Sequence, residues 1–100
     1  MPIGAEWQDE NGKTLARFEG PWIGERVLST FPASGACLRF IDPYGDITFN
    51  QAQIKVLAAE LDALIAAGSE RAPKATLVAL RQFIEPARGK MHTYVKFIGD

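Results

Sequence analysis

The sequence predicts an α+β fold: an antiparallel sheet of about five strands with two helices on one face, in the order ββ-ββ-αα-β. Three observations predict it. Apolar residues alternate with polar ones around two turn signals, Asn11-Gly12 and Asp42-Pro43-Tyr44-Gly45-Asp46. The period becomes helical between residues 51 and 87 and returns to alternation over 91–98. That order contains no βαβ unit, so nothing in it asks for parallel strands. The 100 residues form a single expected domain, 1–100, a size that buries roughly 60–70% of the unfolded surface in one core.

Residues 3–18 read as a hairpin with Asn11-Gly12 as a type I′ turn. In that register Glu6 faces Arg17, Trp7 faces Ala16, and Glu10 faces Lys13. Ile3, Ala5, Trp7, Ala16 and Phe18 then share an inner face, Glu6 and Arg17 face solvent, and Leu15 is the apolar exception outside. Residues 19–36 hold three glycines and two prolines among Trp22, Ile23, Val27, Leu28 and Phe31. An irregular stretch of that length is uncommon in a small domain, and a turn of helix or short strand fits 25–31. Residues 37–49 read as a second hairpin, with Leu38, Phe40, Ile47 and Phe49 inside and Phe40 opposite Phe49.

Ile54, Leu57, Ala58, Leu61, Leu64 and Ile65 form a helical stripe over about 51–67, with Val56 off it. Asn50 and Gln53 make a capping box, and Gly68 suits the left-handed residue past the end. A second helix is expected from about Pro73 to Phe83 or Ala87, with Leu77, Leu80 and Ile84 inward and Pro86 limiting it. Residues 91–98 close the chain as a strand with Thr93, Val95 and Phe97 inside. Leu38-Arg39-Phe40-Ile41 and Val95-Lys96-Phe97-Ile98 share one pattern, as neighbouring strands of one sheet would.

Lys and Arg number 11 against 12 Asp and Glu, a net charge of -1, which argues against a dedicated nucleic-acid binder. A lone Cys37 and a lone His92 exclude an internal disulfide and a closed Cys/His zinc site. The N-terminal MPIGAEWQDE lacks a secretory pattern, and Lys55, Glu60 and Asp62 interrupt the apolar 54–68 stretch, so a cytoplasmic protein is expected. No phosphate-cradle motif occurs, and no cofactor is expected.

Asp42 and Asp46 could share a cation, and with His92 they could serve a small metal-dependent hydrolase. A satisfied hairpin turn is the preferred explanation of the two carboxylates, with recognition through Tyr44 next, and too few ligands stand near them for a metal site. Cys37 and His92 would both lie on the outer sheet face, but nothing activates the thiol. Arg71, Lys74, Arg81, Arg88 and Lys90 against Glu70 and Glu85 make the second helix basic; it could contact nucleic acid weakly, but a solvated helix face is the preferred explanation. The outer sheet face is more suggestive: Tyr94 with Arg39, Ile41 and Lys96 there, and Trp22 and Tyr44 in loops, have the composition of a protein interface. The alternative is that 19–36 folds over Tyr94 and buries that face.

The stretch from Leu38 to Gln51, LRFIDPYGDITFNQ, followed by the helix, resembles a family of small bacterial proteins with an LRFIDPYGD-like hairpin before a capped helix. The resemblance implies a bacterial origin and one fold, and brings no activity. The expected function is therefore binding another protein by surface complementarity, in a toxin-neutralising (immunity-like) or regulatory role, or self-association through the sheet.

Overall fold

Among the described residues four strands, not about five, build the sheet, in the order β2-β1-β4-β3 with every neighbouring pair antiparallel. They are β1 (Gly4–Asp9), β2 (Thr14–Arg17), β3 (Asp46–Phe49) and β4 (Thr93–Ile98). The computed structural model describes residues 3–68 and 71–99. Among these, the helices are α1 (Glu25–Leu28), α2 (Gln51–Ala67) and α3 (Arg71–Arg88), with a 3-10 turn at Leu38–Phe40. Helices α2 and α3 pack on each other and against β4.

In the first hairpin, Glu6 faces Arg17 and Trp7 faces Ala16 as expected, but the turn differs. Gly12 N donates to Asp9 O (3.0 Å) and Asp9 N to Lys13 O (2.9 Å), closing a loop over residues 10–12. Only Gly12 takes a positive φ, so this is not a type I′ turn. The Asp9 carboxylate decides it by accepting from Asn11 N and Lys13 N, both at 2.9 Å. The longer loop shifts the register by one, and a bulge between Thr14 and Ala16 shifts it back. Leu15 is the extra residue, which is why an apolar side chain stands exposed on this strand. Trp7 and Phe18 are half-buried, with Phe18 edge-on to Phe83 at 5.6 Å.

Residues 37–41 are not a strand, which is why the sheet has four strands. The Glu60 carboxylate accepts from Ala36 N (3.0 Å), Cys37 N (3.2 Å) and Leu38 N (2.9 Å). Those bonds turn the chain into a 3-10 helix pinned to α2. Leu38 and Ile41, three apart, are buried, while Arg39 and Phe40 point outward, the period of a 3-10 turn. Phe40 therefore does not oppose Phe49, and the patterns at 38–41 and 95–98 do not lie side by side.

The capping box is present: Gln53 N donates to Asn50 Oδ1 (3.0 Å) and Asn50 N to Gln53 Oε1 (2.9 Å). Ile54, Leu57, Ala58 and Leu61 are buried, and Leu64 and Ile65 are half-buried beside them. Gly68 has φ -76, so α2 ends without a left-handed residue. Helix α3 starts at Arg71 and continues through Pro86 to Arg88. Proline removes one backbone bond there, but only one turn from the end, where buried Ala87 and the Glu85–Arg88 ion pair hold the last turn. Leu77, Leu80 and Ile84 face the core as expected.

By alternation, Ala5, Trp7, Ala16, Phe18, Ile47, Phe49, Thr93, Val95 and Phe97 face the helices. Glu6, Gln8, Arg17, Asp46, Thr48, Tyr94, Lys96 and Ile98 lie on the opposite face. Glu6 is the hub there: Thr14 Oγ1 and Gln8 Nε2 donate to it, and Arg17 pairs with it at 3.3 Å. Those bonds, those to Gln8 and Thr14 above all, hold its carboxyl below the usual range.

Candidate protein-docking surface

The segment 19–36 does not cover Tyr94. Ile23 bridges Ile3, Val27 enters the core, and α1 packs on α3. Anchoring those two apolar residues pushes their neighbours outward. Trp22 follows Pro21 and stands 77% exposed. On the far side of α1, the pinned 3-10 turn presents Arg39 and Phe40, the latter 47% exposed, with the Arg39 guanidinium 4.3 Å from the Phe40 ring centroid. The next turn holds Tyr44 at 78% exposure. There Asp42 Oδ1 accepts from Tyr44 N (2.8 Å), fixing the backbone of the turn.

Two clefts lie beside α1, one lined by Arg39 and the other by Trp22. One, about 390 Å³, runs between α1 and the 3-10 turn and is lined by Leu28, Phe31, Pro32, Arg39 and Pro43. The other, about 400 Å³, lies between Trp22, Arg26 and Pro73. Glu25 lines both, so α1 forms the ridge between them. Trp22, Arg39 and Tyr44 were legible as exposed candidates. Phe40, expected in the core, is exposed instead, and the three-residue spacing of Leu38 and Ile41 is the sequence signal for that.

The expected patch around Tyr94 is not assembled. Tyr94 and Lys96 do share the outer face, but Arg39 sits in the 3-10 turn and Ile41 is buried in the core, since neither belongs to a strand. Tyr94 is half-buried next to Gln8 and borders a small cleft with Asn50 and His92.

Asp42, Asp46 and His92 are not brought together either. Asp46 pairs with Ile98, six residues along β4 from His92, a separation of about 20 Å at strand rise. The Asp46 carboxylate accepts from Gly99 N (3.1 Å) and pairs with Lys96 (3.7 Å). His92, at φ 59, lies 3.9 Å from Glu10. Among the described residues, no group of three or more His, Cys, Asp or Glu could hold a metal ion.

Cys37 is not on the outer face. It is fully buried against α2, its Sγ 3.4 Å from Gln53 O, and burial followed by the nearby Glu60 charge pushes its thiol pKa up. Cys37 is expected to resist a disulfide-exchange reagent in the folded protein and to react fully once the chain is unfolded in urea. Fast modification without unfolding would refute this environment.

Two cations of the basic helix are paired with carboxylates. Arg81 bonds Asp62 and Glu85, and Arg88 bonds Glu85, whose carboxyl is pulled down to about 2 by Arg88 and then Arg81. Lys90 lies 5.4 Å over the Trp7 ring. Glu70 and the side chain of Arg71 lie outside the described residues.

No protein-family model, curated protein or solved structure matches the chain. The likeness of residues 38–51 to small bacterial proteins therefore gains no support from these comparisons, and a functional reading rests on the surface itself. Among the described residues, no helix is long and apolar enough to cross a membrane.

Proposed function

We propose that the chain is a protein-binding module whose contact surface is formed by the exposed aromatic side chains, the α1 ridge and the clefts of residues 22–44, anchored by Trp22, Arg39, Phe40 and Tyr44. One observation carries this reading. Two large aromatic side chains are more than three-quarters exposed and a third is nearly half exposed, all within one stretch of chain. Full burial of such a side chain is worth about 1.5–3 kcal/mol, a gain that this fold forgoes and that a partner can collect. Trp, Tyr and Arg are the residues that dominate interface energetics, and clefts beside them supply pockets for a partner's side chains. Toxin neutralisation or regulation by surface complementarity needs nothing more than such a surface.

The hydrolase and nucleic-acid readings lack comparable support. His92, just before β4, stands at the opposite end of that strand from Asp46, and Arg81 and Arg88 spend their charge on Glu85 and Asp62.

The test is affinity capture from a bacterial lysate with two baits: the natural chain and a Trp22→Ala/Phe40→Ala/Tyr44→Ala variant with an unchanged circular dichroism spectrum and melting temperature. A protein retained by the natural chain and depleted at least ~10-fold by the variant, a loss well within hot-spot effects, is the expected result. Equal capture by both baits would refute the surface.

A further inference from the structure

We propose that the chain dimerises by pairing β3 with β3 of a second copy across a two-fold axis, extending the four-stranded sheet to eight strands. The sheet ends in two edges, β2 and β3. They differ. The β2 edge carries the Leu15 bulge and the cations Lys13 and Arg17, features that blunt an edge against pairing. The β3 edge pairs with β4 without a register shift and contains no glycine or proline.

The chain preceding β3 leaves this edge open. A Cβ placed on Gly99 would lie 2.6 Å from Asp42 O and 2.5 Å from Gly45 N. Gly99 shares the inward side with Phe97, so the 42–45 turn tucks beneath β4 and not beside β3. Leu38 and Ile41 are in the core, in the helical layer.

The hydrogen-bond pattern and the side chains of this edge fit a second copy. Gly99 N donates to Gly45 O at 3.0 Å, which makes Ile47–Phe97 and Phe49–Val95 the bonded pairs of the ladder. The N–H and C=O of Asp46 and Thr48 therefore point away from β4, and among the described residues they make no other backbone hydrogen bond. This array is self-complementary. With the axis at Ile47, Asp46 faces Thr48 of the second copy and Thr48 faces Asp46, giving four main-chain bonds. Half-buried Ile47 meets its own copy on the inward side. On the outer side each Asp46 carboxylate stands across from a threonine hydroxyl, with Lys96 3.7 Å away to offset its charge. No two like charges are directly opposed.

The test is sedimentation equilibrium of the full chain up to about 1 mM, the weak end of specific association. The expected result is a concentration-dependent rise from the 11.0 kDa monomer toward twice that mass. Thr48→Pro deletes an N–H that the intrachain ladder does not use, and should weaken association at least ~10-fold without changing the fold. Should that variant not fold, Thr48→Asp decides: it keeps Lys96 as an in-chain neighbour but sets two carboxylates opposite each other across the axis. A natural chain that stays monomeric throughout would overturn the proposal. So would a folded variant that dimerises as tightly as the natural chain.

Discussion

Glu60→Ala is expected to lower the unfolding free energy by about 2–4 kcal/mol, because three backbone N–H groups lose one charged acceptor together. Those groups belong to Ala36, Cys37 and Leu38, and two of the three bonds are partly shielded from water. Gly35, at φ +121 directly before them, lies so close to the Glu60 carboxylate that a Cβ there would stand 2.5 Å from Oε2, so the loop backbone packs directly on this side chain. Glu60→Gln retains one acceptor oxygen and should lose about half as much. Urea unfolding measures both. The alanine variant should also admit thiol reagents to Cys37, since the pinned loop is what closes over it. A Glu60→Ala protein as stable as the natural one would mean that these bonds merely replace equally good bonds to water.

Leu61→Ala is expected to cost about 2–5 kcal/mol, the range for a truncated fully buried leucine. Leu61 lies on the buried stripe with Ile54, Leu57 and Ala58, and the same core holds Phe49 and Phe97, whose rings meet edge-on at 5.9 Å. Phe40, expected among those contacts, is absent from the core. A cost below about half a kcal/mol, typical of surface sites, would mean that α2 turns another face inward.

These two residues show what the sequence could and could not reveal. The role of Leu61 was legible because helical periodicity and the Asn50–Gln53 box are local signals. The inner face of β1, β2 and β4 was legible for the same reason: alternation and a charge pair between Glu6 and Arg17 set the register. The role of Glu60 was not legible. It reaches 22 to 24 residues back along the chain to grip the amides of 36–38, a tertiary bond that leaves no local pattern. That single contact converts an apparent strand at 37–41 into a 3-10 turn, removes a fifth strand, buries Ile41 and Cys37, and sends Phe40 outward. The same mechanism limited the reading of the site. Trp22, Arg39 and Tyr44 were recognised by residue type, whereas the placement of Arg39 in a 3-10 turn, away from Tyr94, depended on that long-range bond.

Trp22 fluorescence tests the docking surface most directly. A Trp7→Phe background isolates Trp22, which in the free protein should emit as a water-exposed indole and be readily quenched by iodide. Titration with the captured partner should shift its emission to shorter wavelength and protect it from iodide, saturating at one stoichiometry, with Tyr94→Ala leaving the titration unchanged. A saturated complex in which Trp22 keeps its exposed emission and its quenching would contradict the assignment of this surface.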